Sequence, residues 1–252
     1  MELKVISFNV RTCSDPNGHS MKERAPRILD ILKEENADIM GFQEYTPEMK
    51  EMLASPLAEN YEIFDKLRAE GDRESVPIFW KKDRFECIDK GYFWFSDTPQ
   101  KESKGWDEIY DCYRICMWTV LKEKQTKKSL IYMNTHFGFG DKGQKDSVKL
   151  IKEYSEKIGN LPIVVTGDFN MTLSSAPYKD MVGYFTDVNM ATAKDERCTF
   201  HNYSADFTEK QAHIDYCFVD GRVKPLDYKR LDKTFEGKFP SDHYGIAAKI
   251  SL

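Results

Sequence analysis

The 252-residue sequence predicts an α/β (α+β) chain folded as a mixed-sheet sandwich. Three observations carry the prediction. Strand-like runs outnumber helical ones. The helical segments fall between strands in both halves of the chain. Two pairs of strand-like runs are joined by turns so short that only antiparallel pairing suits them. A doubly wound parallel sheet would require a helix in nearly every crossover, so a mixed sheet is favoured.

Taken in order, the first strand is Leu3-Lys4-Val5-Ile6-Ser7-Phe8-Asn9-Val10. Ala25, Ile28, Leu29 and Leu32 then recur at helical spacing, and the strand-like Asp38-Ile39-Met40-Gly41-Phe42-Gln43-Glu44 follows. Between Tyr61 and Phe95 the pattern is strand-rich. Val76–Trp80 and Phe85–Ile88 flank the turn-forming Lys82-Asp83-Arg84 and read as a hairpin. A polar stretch from Ser96 to Asp111 leads into a second hairpin, Arg114–Leu121 and Ser129–His136, around Gln125-Thr126-Lys127-Lys128. Val148, Ile151, Ser155 and Ile158 mark a helix face before the apolar run Leu161–Thr166, and the last strands are Ile214–Val219 and Tyr244–Ile250. With no repeat or Gly/Ser linker in view, one domain spanning 1–252 is the simplest organisation.

Composition narrows the function classes. A 40% hydrophobic content allows a substantial core, and 37 basic against 42 acidic residues give a formal charge of −5, unlike a surface built for long polyanions. No apolar run approaches the ~20 residues of a membrane span. The expected state is soluble: cytoplasmic, or exported if an upstream signal has been removed. Cys13, Cys87, Cys112, Cys116, Cys198 and Cys217 match no zinc or redox spacing. Cys112 and Cys116 are at most neighbours on a helical turn, and most of the six read as small core residues.

Polar residues gather where strands end. Asn9 lies near the end of the first strand, Glu44 ends the second, and His136 ends a hairpin strand. Gly167-Asp168-Phe169-Asn170 closes the Leu161–Thr166 run, Asp215 lies in the penultimate strand, and Ser241-Asp242-His243 leads into the last. Each has a purely structural alternative. Glu44 would cap a helix starting near Thr46-Pro47, Asn9 and the Asp168–Asn170 segment would form turns, and His136 would be a satisfied histidine. Taken jointly, oxygen ligands and histidines at six strand ends suit a magnesium-type ion and a phosphoryl centre.

Ile6-Ser7-Phe8-Asn9, Gly41-Phe42-Gln43-Glu44, Asn134-Thr135-His136, Gly167-Asp168-Phe169-Asn170, His213-Ile214-Asp215-Tyr216 and Ser241-Asp242-His243 resemble, in order, the signature blocks of the endonuclease/exonuclease/phosphatase family. That family includes deoxyribonuclease I, exonuclease III-like abasic-site endonucleases, inositol polyphosphate 5-phosphatases and bacterial sphingomyelinases. The resemblance implies a four-layer α/β/β/α, deoxyribonuclease I-like sandwich with its site at one rim. It implies that Glu44 is the principal divalent-metal ligand, with Asn9 beside it and Asp242 as a further metal-side carboxylate. Asp168 would orient or deprotonate the attacking water, helped by Asn170. His243 would contact the phosphate, Asp215 would accept a hydrogen bond from that imidazole, and His136 would donate to a phosphate oxygen. Arg114 is a phosphate-binding candidate from its place at the start of the hairpin strand paired with the one ending at His136, with a surface ion pair as the alternative.

The expected activity is therefore Mg²⁺- or Mn²⁺-dependent hydrolysis of a phosphoester of modest size. Nucleic-acid cleavage is the alternative, and a non-catalytic binding protein on the same fold a remote one. No obligate protein partner is expected. Lys101, Lys104, Lys142 and Lys145 are offset by acidic neighbours, which argues against long DNA. Substrate identity is expected to reside in the loops: Phe137–Gly143, which is unusually apolar, and Ser96–Tyr113 with Trp106, Tyr110 and Tyr113, a cleft wall, a lid or a packed surface loop.

Overall fold

The computed structural model describes residues 1–204 and 211–252. Twelve strands and five helices are present in that part of the chain. They run β1 (Glu2–Asn9), α1 (Met21–Glu35), β2 (Ile39–Gln43), α2 (Pro47–Leu57), β3 (Tyr61–Phe64), β4 (Ile78–Lys81), β5 (Phe85–Trp94), β6 (Ile115–Glu123), β7 (Ser129–His136), α3 (Asp141–Ile158), β8 (Ile163–Asp168), α4 (Ala176–Val182), β9 (Thr186–Asp187), α5 (Val188–Ala191), β10 (Asp215–Val219), β11 (Lys224–Leu231) and β12 (Gly245–Ser251).

They form two six-stranded sheets, ordered β11-β12-β1-β2-β4-β3 and β5-β6-β7-β8-β10-β9. Pairing is antiparallel except for β1–β2 and β7–β8. The central strands read as continuous apolar runs because both of their faces are buried. Val5, Ile39, Leu130, Tyr132, Val164, Ile246 and Ile250 pack between the sheets. Ile6, Phe8, Met40 and Phe42 face outward against α1 and α2, whereas Ile131, Met133, Val165 and Phe218 face the α3 and α4 side. The result is the expected four-layer α/β/β/α sandwich.

A polar tie joins the two sheets within the inter-sheet layer. Asn134 of β7 donates through Nδ2 to the carbonyls of Phe42 (2.7 Å), Pro77 (3.1 Å) and Val76 (3.2 Å), and its Oδ1 accepts from Gln43 Nε2 at 2.8 Å. Gly41 is required opposite it, since a Cβ there would lie 2.4 Å from the Asn134 amide.

Three sequence-based readings are corrected, and one strand was missed. Val76–Trp80 and Phe85–Ile88 do not form a hairpin: β4 pairs with β2 and β3, whereas β5 pairs with β6. The Lys82-Asp83-Arg84 turn therefore crosses from one sheet to the other, with Trp80 and Phe85 both packing in the layer between them. Glu44 does not cap α2; Thr46 does, accepting from Met49 N–H at 3.1 Å, with Pro47 at the first turn. Cys112 and Cys116 share no helix, because Cys112 lies in a loop and Cys116 in β6. β11 was not anticipated.

Candidate active site

The strand directions bring the polar ends to one rim. β1 and β2 are parallel, so Asn9 and Glu44 emerge side by side, and the β7–β8 register sets His136 opposite Asp168. β10 runs antiparallel to β8, which pairs Asp215 with Asp168, and His243 lies just before β12 beside β1. Asn9, His136, Asp168, Asp215, Asp242 and His243 are all buried. Glu44 and Asn170 adopt left-handed backbone, with φ of 55° and 48°. A residue such as glutamate gives up roughly 1–2 kcal/mol to adopt that conformation, so the turn that aims Glu44 into the site is held by its surroundings.

Asp168 is the hub. Its Oδ2 accepts from Asn9 Nδ2 at 2.9 Å and lies 3.5 Å from His136 Nε2 and 3.7 Å from His243 Nε2; its Oδ1 accepts from Asn170 N–H at 3.0 Å. Asn9 Nδ2 also donates to Glu44 Oε1 at 3.0 Å, and Asn9 Oδ1 accepts from Arg11 N–H at 3.0 Å. Asn9 therefore bridges the two carboxylates. Glu44 Oε2 accepts from Thr12 N–H at 2.7 Å. Asp242 accepts from Ser241 Oγ at 3.2 Å and lies 3.4 Å from Arg11 Nε.

His243 Nδ1 donates to Asp215 Oδ2 at 2.9 Å. Burial alone would lower this imidazole's pKa, but the charges of Asp215 and Asp168 outweigh it and raise the group to about 10. His243 is thus a cation at neutral pH. Burial and the Asp215 charge push Asp168 up to about 7, against the pull of His243 and the Asn9 hydrogen bond. His136 goes the other way: burial, then the cations Arg114, Arg68 and His243, keep it neutral. Asn170 Nδ2 faces its Nε2 at 3.1 Å while donating to Phe137 O at 3.0 Å, so Nε2 accepts and the proton sits on Nδ1. That Nδ1 is buried without a partner among the described residues.

Two sets of groups have donor chemistry for a cation. Asp168, Asp215 and His243 bring ligand atoms within 4.8 Å of one another. In that set, Asp215 and His243 are already committed to each other, and the cationic imidazole repels a second cation. Glu44 and Asp242 offer hard carboxylate oxygens on the same cavity, a donor set that suits Mg²⁺ or Mn²⁺, with the Arg11 guanidinium 3.4 Å from Asp242 as the cation already beside them.

The cavity over this centre encloses about 660 Å³. Its floor includes Glu44, His136, Asp168, Asn170, Asp242 and His243, so the structure assembles these predicted residues on one surface. Asp215 sits behind His243. Arg114 lines the cavity too, but its Nε and Nη2 both face Asp107 Oδ2 at 3.1 Å, which closes that edge to a bidentate phosphate contact. The Ser96–Tyr113 stretch is a cleft wall. The solvent-shielded carboxylate of Asp107 caps Ile109 N–H (3.0 Å) and Tyr110 N–H (2.9 Å), and the Tyr110 ring meets Phe139 edge-on with centroids 5.4 Å apart. Gly138 makes this docking possible, since a Cβ there would sit 2.8 Å from Asp107. Trp106 points elsewhere, donating to Asp97 and packing beneath the second sheet.

Several site residues escaped the sequence reading. Arg68 and Glu74 line the cavity, paired with each other at 2.9 Å, and Arg68 also binds Asp72 at 3.1 Å. Arg24, fully buried, donates to the carbonyls of Arg11 (3.0 Å), Cys13 (2.6 Å), His19 (2.9 Å) and Val10, and so holds the loop that follows Asn9. Only an arginine placed one turn into a helix, without an evident acidic partner, hinted at that role.

At this rim two histidines, the carboxylates of Glu44, Asp168 and Asp242 and the Asn170 amide line one cavity, with Asn9 and Asp215 hydrogen-bonded behind them. The chain belongs to the Endonuclease/Exonuclease/phosphatase family, whose model matches residues 6–243. Among solved structures, the endonuclease/exonuclease/phosphatase of Bacteroides vulgatus is 28% identical, with a TM-score of 0.91 over 100% of this chain and 99% of that one. The mannosyl-6-phosphatase of Bacteroides thetaiotaomicron is 29% identical, with a TM-score of 0.86 over 99% and 100%. A CCR4-Not complex 3'-5'-exoribonuclease subunit Ccr4 from Candida albicans is 27% identical over 86% of this chain, but the match spans only 36% of its own length. No helix among the described residues is long and apolar enough to cross a membrane.

Proposed function

We propose that this chain is a phosphoester hydrolase that uses Mg²⁺ or Mn²⁺, acts as one domain over 1–252, and takes a compact substrate. The carrying observation is the convergence of Asp168, His136 and His243 within 3.7 Å on the cavity that also holds Glu44 and Asp242. Glu44 and Asp242 would hold the ion, with Asn9 fixing Glu44. When bound, the ion supplies positive charge to the phosphoryl oxygens. Asp168, with a proton affinity near neutrality, takes the proton of the attacking water, and Asn170 fixes that carboxylate through its N–H. His243, kept cationic by Asp215, stabilises the charge that develops on the phosphoryl group. His136 stands beside Asp168 on the cavity wall, at the phosphoryl group's edge, and Arg114 contributes through Nη1 because Asp107 occupies its other edge.

The cavity volume falls in the range of small-molecule sites, roughly 300–1,000 Å³. The likeness to a mannosyl-6-phosphatase supports a small phosphoester. The Ccr4 likeness supports nucleic-acid cleavage as the second reading. A metal-supplemented screen against phosphomonoesters, phosphodiesters, single-stranded RNA and plasmid DNA tests the proposal. Turnover of small esters without polymer cleavage is expected. Polymer cleavage alone would replace it with the second reading, and no turnover with Mg²⁺ or Mn²⁺ would overturn it.

A further inference from the structure

We infer that Arg68, Glu74, Tyr110 and Phe139 form a recognition subsite for a neutral polyhydroxylated group, so that the substrate is a phosphate ester of a sugar or similar polyol. The inference rests on the phosphoester-hydrolase reading above and adds the identity of the group carrying the phosphate.

Charge is the first argument. The arginines on this side of the cavity are already matched: Arg68 by Asp72 and Glu74, Arg114 by Asp107. Three carboxylates for two guanidinium groups leave no surplus positive charge for a second phosphate, as a nucleic acid or polyphosphate would require. Hydrogen-bonding capacity is the second. A carboxylate has about four acceptor sites, and the one oxygen that Glu74 turns to Arg68 leaves capacity for hydroxyl donors from the cavity it lines. An Arg–Glu pair held rigid by Asp72 suits adjacent hydroxyls, which donate and accept at fixed spacing. Shape is the third. The Tyr110 and Phe139 rings meet at 69°, which gives an apolar surface for the C–H face of a sugar.

The test compares kcat/KM for glucose 6-phosphate, mannose 6-phosphate, AMP and p-nitrophenyl phosphate, in wild type and in the Glu74→Gln and Tyr110→Ala variants. Wild type is expected to favour a hexose phosphate over AMP. Each substitution should lower the hexose phosphate to p-nitrophenyl phosphate ratio about tenfold, chiefly through KM. A preference for AMP, or an unchanged ratio in both variants, would overturn the inference. Tyr110 is exposed, so its variant decides the matter if Glu74→Gln fails to fold. If wild type turns over no ester at all, the hydrolase reading fails instead. Calorimetry with glucose 6-phosphate then judges the subsite: binding weakened by Tyr110→Ala supports it, and no binding overturns it.

Discussion

Asn9 and Asp168 lie 159 positions apart and in different sheets, yet Asn9 Nδ2 donates to Asp168 Oδ2 at 2.9 Å. The same amide reaches Glu44, so one side chain sets the spacing between the carboxylate assigned to the metal and the one assigned to water. Replacing it with Asn9→Ala removes both hydrogen bonds and lets two like charges find their own separation. A fall in kcat of about 10²-fold is expected, with a smaller change in KM, because misplacement by an ångström already costs that much. Steady-state kinetics on an activated phosphoester checks this.

Asp215 controls the charge of His243. A folded-state pKa of about 10 against an ordinary 6.5 means that the folded protein holds this proton more tightly than the unfolded chain does. The associated stability is fully present below about pH 6.5 and lost as pH rises through about 10. Between those limits the melting temperature of wild type should fall with pH more steeply than that of His243→Gln. In Asp215→Asn the imidazole loses its main supporting charge. The alkaline limb of the pH–rate profile should then move toward neutrality, and kcat at pH 8 should drop by roughly 10²–10⁴-fold.

Asn134 is the joint between the sheets. Asn134→Leu would remove the side-chain donor from the buried carbonyls of Phe42 and Val76, and would leave Pro77 O with only the Phe42 N–H and the Gln43 amide with Ser7 Oγ. At about 1–3 kcal/mol for each buried group left unsatisfied, partly relieved by relaxation, a loss of about 3–5 kcal/mol is expected. Urea unfolding measures it.

Asp107 anchors the cleft wall. Asp107→Ala leaves the buried Arg114 guanidinium unpaired and frees the Tyr110 backbone. Breaking a buried pair in this way costs about 3–5 kcal/mol, so both a lower melting temperature and a raised KM are expected. Asp107→Asn, which retains the acceptor oxygen, should recover part of each.

The core of the site was legible because rigid strands end in polar residues, and strand ends can be seen in sequence as breaks in apolar runs. Asp168, His136 and Asp215 are such cases. What was not legible depends on pairing or on loops. The Lys82–Arg84 turn has the same local chemistry whether the chain doubles back or crosses to another sheet, and only the shared packing of Trp80 and Phe85 decides. β11, Lys-Pro-Leu-Asp-Tyr-Lys-Arg-Leu, is an edge strand whose charges and proline hide its period. Arg68 and Glu74 reach the cavity, and Asp107 anchors the wall beside it, from outside regular strands and helices, where no periodicity marks them. The carboxamide of Asn9 was expected beside the metal, and its role as a bridge needed coordinates.

The central claim is that Asp168, poised beside a cationic His243, activates water in an ion-dependent reaction. Its most direct test is the rate of p-nitrophenol release from bis-p-nitrophenyl phosphate and p-nitrophenyl phosphate by wild type and Asp168→Asn, each with Mg²⁺ and again after chelation. The account predicts turnover by wild type in Mg²⁺ on at least one ester, loss on chelation, and a fall of at least about 10³-fold in Asp168→Asn with the fold intact. Equal rates in the two proteins, or a wild-type rate indifferent to chelation, would contradict it.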